Sequence, residues 1–215
     1  MPAERVTGFL TRFGERHGDL DWEADAHYVV VTAADQAEAR CRVPFPPLVV
    51  DPAAAYGGLV DHVQRDRRVG VVLVRRGGHA AGIFEGSRLV ASKVGSRHVQ
   101  GRSAAGGWSQ QRFARRREGQ ARVAGQAAAD AVAAVLLPHV ASFEAVVAGG
   151  DRAACDRVLA DPRLAPLLPL LVDDRIAVPH PRQRVLVESA EAFRAMHVQV
   201  IDPERDPASG RATGG

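Results

Sequence analysis

Two glycines, a tryptophan and two glutamines stand before a burst of arginines in GGWSQQRFARRRE, residues 106–118. A glycine pair lets backbone N–H groups come close to a ligand. Gln110 and Gln111 carry neutral amides that donate and accept hydrogen bonds at once. The arginines carry planar forks that match phosphate oxygens. From Lys93 to Arg122 the cations are Lys93, Arg97, Arg102, Arg112, Arg115, Arg116, Arg117 and Arg122. Glu118 is the single acid, so these 30 residues hold a net charge of +7. The whole chain carries only +3, so the remainder is net acidic. Charge this one-sided lacks the acids for i,i+4 pairing, and a self-paired solvated helix face does not account for it. It predicts a phosphate-rich partner, RNA above all, bound with strong salt dependence.

Other chemistries find no support. The loop lacks the lysine and hydroxyl of G-x-x-x-x-G-K-[ST], and no G-x-G-x-x-G opens a βαβ unit. The histidines are scattered, with no H-x-x-x-H, H-E-x-x-H or C-x-x-C spacing, so no metal or cofactor is expected. No G-x-S-x-G elbow occurs. Cys41 and Cys155 stand far apart and read as reduced thiols. Hydrophobic residues at 46% against charged residues at 25% give an ordinary globular balance, with enough apolar material for a core. One lysine among 28 basic residues marks the arginine bias of a GC-rich bacterial genome, which speaks of source and not of function. No apolar run approaches the ~18–20 residues of a membrane span and no apolar leader opens the chain, so a soluble cytoplasmic protein is expected.

The elements that must hold 106–118 in place follow from periodicity. Phe9, Leu10 and Phe13 predict a short helix within the mixed, charged stretch 1–26. HYVVVTAA (27–34) and ARCRVPF (39–45) read as strands, and YGGLVDHVQRDRR (56–68) as an amphipathic helix. The continuous β-branched run 69–76, a strand around 80–84 and a strand at 88–92 form a meander, with turns at Gly77-Gly78 and Glu85-Gly86-Ser87. From Gly95 to Gly107 the pattern dissolves into a loop. A helix starts at Ser109, a plausible N-cap, and runs to about Leu137 before Pro138. Its second half is apolar on one face, while 110–120 is polar nearly all round apart from Phe113. A helix with such a front projects into solvent or onto a polar partner. A strand at 142–150, a helix capped by Asp151, a proline-interrupted apolar segment, a helix at 182–196 and a strand at MHVQVID follow. The fold class is α/β, a mixed sheet flanked by helices with one long helix behind a projecting glycine-rich loop. The expected divisions are a small α/β extension over 1–66, a domain over 67–202 and a disordered tail over 203–215.

With these elements in place, GGWSQQRFARRRE resembles the catalytic tip of the eukaryotic and archaeal class-1 peptide release factors. There a Gly-Gly-Gln loop is followed by a serine, two variable residues and an Arg-Phe-x-Arg-x-Arg helix. Ser109 and Arg112-Phe113-Ala114-Arg115-Arg116-Arg117 match that helix start in register. EAVVAGGDRAACDRVL resembles the family's next strand, glycine turn and helix, and the resemblance spans roughly 69–202. One position departs: Trp108 stands where the family has its glutamine. Gly107-Trp108-Ser109-Gln110 is instead similar to the G-x-x-Q form of the release-factor-like tRNA hydrolases of ribosome-associated quality control, here in a bacterial, actinobacterial-type version. Over these 215 residues the codon-reading and partner-binding domains of a full release factor are not expected.

The resemblance implies a release-factor catalytic-domain fold and a peptidyl-tRNA hydrolase that frees nascent chains from tRNA on stalled large ribosomal subunits. Its partners would be peptidyl-tRNA and large-subunit RNA. Gln110 is the implied catalytic residue, with Gly106 and Gly107 shaping the tip and Gln111 the substitute should the helix begin one residue later. Lys93, Arg97, Arg102, Arg112, Arg115 and Arg116 are the expected RNA contacts, and Arg117 and Arg122 are expected to be solvated or paired. Trp108 stacks on a terminal base or anchors the loop. Two alternatives stay open: a nuclease that cuts the tRNA near its 3′ end, and a ribosome- or RNA-binding adaptor whose tip has lost catalysis.

Overall fold

The computed structural model describes residues 1–96 and 109–202, the side chains of 109–117 excepted. In chain order the regular elements are α1 (Val6–His17), β1 (Leu20–Ala24), β2 (Tyr28–Ala33), β3 (Glu38–Arg42), α2 (Leu59–Gln64), β4 (Arg68–Arg75), β5 (Gly78–Glu85), β6 (Arg88–Ser96), α3 (Ser109–Leu136), β7 (Ala145–Gly150), α4 (Arg152–Leu159), α5 (Gln183–Phe193) and β8 (His197–Ile201). The described residues pack as two compact units, one built from 1–64 with 194–202 and the other from within 65–193.

The first unit holds an antiparallel sheet in the order β1-β2-β3-β8. Val29, Val31 and Ala33 of β2 point inward at the two-residue period of a strand, as do Ala39 and Cys41 of β3. Val6, Leu10 and Phe13 of α1 recur at helical spacing and join the same core. Strand β1 lies inside the stretch that the sequence reads as charged and partly helical. Its register with β2 is set by Asp25, whose Oδ1 accepts the backbone N–H groups of His27 at 2.6 Å and Tyr28 at 2.7 Å. Those two bonds hold the Asp25 carboxyl below its ordinary pKa. The helix expected over 56–68 starts only at Leu59, because Tyr56, Gly57 and Gly58 sit in the left-handed region at φ 54°, 64° and 83°. Strand β8, which the sequence groups with the later domain, pairs with β3 from Arg42–His197 to Glu38–Ile201.

The second unit holds a mixed sheet in the order β6-β5-β4-β7, with β4 and β7 parallel. Strand β4 runs between two partners and is buried from Val69 to Val74, which explains its unbroken apolar sequence. The chain leaves this sheet at its β6 edge and returns at the opposite edge as β7, with α3 in the crossover. Gly150 closes β7 at φ 103°, and a Cβ there would meet the Val74 carbonyl oxygen at 2.2 Å. Asp151 then caps α4, its Oδ1 accepting the Ala154 N–H at 2.8 Å. Helix α5 covers the other face of the sheet, where Phe193 meets Phe84 edge-on at 5.2 Å and Leu186 fills the space above Gly82.

Helix α3 has 28 residues, about 42 Å at 1.5 Å per residue. From Glu118 to Ala127 no side chain is buried, and burial begins at Ala128. Ala128, Ala129, Val132 and Leu136 then pack on Val72, Val74, Ala81 and Ile83. Glu118–Ser142 is long and apolar enough to cross a membrane by length and composition, at a mean hydropathy of 1.4, where the sequence reading expects no such run. Valine, leucine and alanine supply that hydropathy, and among them the small alanines bring the helix close to the sheet.

Candidate nucleic-acid interface

The site is built where β6 hands the chain to α3. Gly106, Gly107, Trp108, Arg97 and Arg102 lie outside the described residues. Gln110 is the second residue of α3, and Gln111, Arg112, Arg115 and Arg116 follow within its first turns. The first four N–H groups of a helix have no intrahelical carbonyl, so the backbone around Gln110 offers donors and the positive end of the helix dipole. That arrangement accepts anions and developing negative charge.

Lys93 stands on β6 directly opposite Ala81, so the two share a face of the sheet. Ala81 belongs to the core under α3, which places the exposed Lys93 on the side of the sheet that α3 covers. Gly95, one β-period further on, lies opposite His79. A Cβ at Gly95 would meet the His79 ring at 2.5 Å, so the last residues of β6 pass tight over that imidazole. The chain leaves β6 one residue later.

A cleft of about 900 Å³ opens beside this region, walled by the β4–β5 turn, the middle of α3 and α4. Arg75, Arg76, Arg122 and Arg157 line it. Arg122 was expected to be solvated or paired. It is exposed and, among the described residues, makes no hydrogen bond or ion pair, as do Arg76 and Arg157. Sequence reading missed Arg75, Arg76 and Arg157, since positions 76, 122 and 157 share no local run, and only the fold gathers them.

Little else in the described residues offers chemistry. No group of three or more His, Cys, Asp or Glu side chains there is arranged to hold a metal. Cys41 and Cys155 are free and buried, and burial pushes the Cys41 thiol up to about 11 and the Cys155 thiol up as well. A thiol so raised is a poor nucleophile at neutral pH.

A family model described as Actinobacteria/chloroflexi VLRF1 release factor matches residues 67–199, well over half of the chain. The chain belongs to this family. The match to the VLRF1 release-factor family takes in β4 through α5 and most of β8, and with them the whole of 97–117. Among solved structures, the crystal structure of the archaeal translation termination factor aRF1 is similar at 16% identity and a TM-score of 0.42, over 76% of this chain and 51% of that one. An archaeal protein is similar at 17% identity and a TM-score of 0.37, over 74% of this chain and 48% of that one. The chain thus spans about half the length of either structure. No curated protein matches it.

Proposed function

We propose that this chain is a peptidyl-tRNA hydrolase of ribosome rescue, releasing nascent peptides from tRNA on stalled large ribosomal subunits in the cytoplasm. Membership in a release-factor family supports a role in translation termination or rescue. The observation that carries the finer reading is the place of Gln110. It sits in the first turn of a helix with no buried residue from Glu118 to Ala127, three residues after a glycine pair and ahead of an arginine run. Such a front end can enter a narrow RNA-walled site.

The substrate joins peptide to ribose through an ester. The Gln110 amide would accept from and donate to the attacking water and so fix its approach. Free N–H groups at the start of α3 would meet the negative charge that grows on the carbonyl oxygen. An ester is already activated and the neighbouring ribose hydroxyl carries the proton to the leaving oxygen, so no titrating side chain and no cofactor is asked for. The arginines hold tRNA and large-subunit phosphates, and the uncharged tip reaches the ester. One correctly placed donor of this kind is worth roughly 10²–10³ in rate.

The test is single-turnover release of labelled peptide from peptidyl-tRNA on isolated large subunits. Wild type is expected to release peptide and leave the tRNA 3′ end intact, while Gln110→Ala binds as well and releases at least about 100-fold more slowly. A shortened tRNA end would make the protein a nuclease. Binding without release by wild type would make it an adaptor, with Trp108 marking the lost glutamine. A Gln110→Ala protein as fast as wild type would move the catalytic assignment elsewhere, with Gln111 next.

A further inference from the structure

The cleft beside α3 carries a second assignment. Eight of the described arginines in 65–193 are engaged by acids or carbonyls: Arg65 by Glu144, Arg67 by the Arg65 carbonyl, Arg68 and Arg88 by Glu85, Arg75 by the Val178 carbonyl, Arg163 by Asp130 and Asp161, Arg175 by Asp156, and Arg184 by Glu188. Arg76, Arg122 and Arg157 have no such partner among the described residues. All three open onto the one cleft, from three elements that are 35 residues or more apart in sequence.

The acids of the same lining do not cancel them. Asp151 is committed to the Ala154 N–H at the start of α4. Asp161 is clamped at 2.7 Å by Arg163, which it shares with Asp130 and which holds its carboxyl down at about 2, so its charge is partly offset. Only Glu118 is left uncommitted among the described residues. Arg75 donates Nη1 to the Val178 carbonyl at 3.0 Å, a neutral partner that leaves its charge in place. The α3 wall between these cations is made of Ala121, Ala124, Gly125 and Ala128, and the space above Gly125 is open to 4 Å. A cationic rim over a shallow wall of small side chains suits a sugar–phosphate strand, whose charges are regular and whose sugars need room.

We infer that the cleft formed by the β4–β5 turn, α3 and α4 is an RNA-backbone site in which Arg76, Arg122 and Arg157 bind phosphates of the acceptor arm of the same tRNA that the tip attacks. The assignment of the strand to that tRNA rests on the proposed hydrolase function. The cleft begins at Glu118, eight residues along α3 from Gln110, about 12 Å by helical rise. That is within the reach of the unpaired 3′ end of a tRNA, so a tRNA whose ester lies at the tip presents its first paired phosphates to the cleft. Arg115 and Arg122 lie two helical turns apart and would extend one track along α3.

The experiment titrates the full chain with deacylated tRNA by fluorescence anisotropy across a series of KCl concentrations. It compares wild type, the triple variant Arg76→Gln, Arg122→Gln, Arg157→Gln, and a control with Arg152→Gln and Arg182→Gln, two exposed arginines outside the lining. The expected result is a slope of log affinity against log salt that is shallower by about 2–3 in the triple variant, with tRNA bound roughly 10–100-fold more weakly at moderate salt. The control is expected to stay within about twofold of wild type, and all three proteins to share one melting temperature. A triple variant with the wild-type slope overturns the inference, as does a control that loses as much. Peptide release keeps the two readings apart. If wild type releases no peptide but the triple variant has the shallower slope, the RNA site stands and the hydrolase reading falls. If wild type releases peptide and the slope is unchanged, only the RNA site falls.

Discussion

The two halves of α3 obey different rules. From Ala128 to Leu136 the helix is chosen by the sheet beneath it: small or branched residues recur where Val72, Ala81 and Ile83 need contact. From Ser109 to Ala127 the described positions bury nothing, and the composition turns to glutamine and arginine. A core position is fixed by volume and a solvated one is nearly free. A stretch with one acid among so many arginines, leading into positions that bury nothing, is therefore informative about a partner. The same contrast separates the arginines. Those locked to Glu85, Glu144 or Asp161 serve the fold, and Arg76, Arg122 and Arg157 in the cleft are spare.

The comparison is broken most sharply by one substitution in each half. Leu136→Ala removes a fully buried side chain and is expected to cost about 2–5 kcal/mol in denaturant unfolding. Its intrinsic release rate, measured below the unfolding transition, should be unchanged. Gln110→Ala should do the opposite, losing roughly 10²–10³ in release rate with stability within about 0.5 kcal/mol of wild type. If Gln110→Ala unfolds the protein, the front half is held by packing and the division fails. Smaller is the effect of Arg112→Gln, Arg115→Gln and Arg116→Gln together, which should flatten the salt dependence of tRNA binding by about 2–3 without moving the melting temperature.

How much of this was legible in the sequence depends on how local each signal is. The start of α3 at Ser109, the β4–β5–β6 meander and the Asp151 cap are written in adjacent residues, and the structure has each of them. Strand β1 was missed because Asp21 and Glu23 alternate with Leu20 and Trp22, and alternation over five residues is swamped by the surrounding charge. Strand β8 was found but grouped with the wrong neighbours, since the period of HVQVI tells that it is half-buried and not which sheet receives it. Unbroken burial along β4 could be read because both its neighbours are in the sheet. The cleft could not be read at all: single arginines at 76, 122 and 157 mean nothing until β4, α3 and α4 are packed together.

The cap of α4 gives the next prediction in size. Asp151→Ala removes the cap of α4, which packs against α3, and should cost about 1 kcal/mol, read from the denaturation midpoint, with tRNA affinity unchanged. A loss of tRNA binding instead would mean that α4 positions the cleft arginines.

Smallest is the acid response of the clamp in which Arg163 grips Asp130 of α3 at 2.8 Å and Asp161 at 2.7 Å. The hydrogen bonds from Arg163 come first among the causes that hold both carboxyls below their ordinary value, Asp161 at about 2. A carboxyl depressed in the folded state stabilises it fully above the unfolded value of about 3.9, and that contribution is lost as pH falls toward the folded one. The window is therefore pH 4 to 2. Because Arg163 and Asp130 are exposed and Asp161 is only half-buried, the effect is expected to be slight and to shrink further with added salt. Melting temperatures from pH 6 to 2 should show wild type above Arg163→Gln at neutral pH and the gap closing through that window. Asp25 and Asp35, also depressed, titrate alike in both proteins and cancel from the difference. Two curves that fall in parallel would mean that the clamp adds nothing, and that α3 is held to the second unit by its alanine face alone.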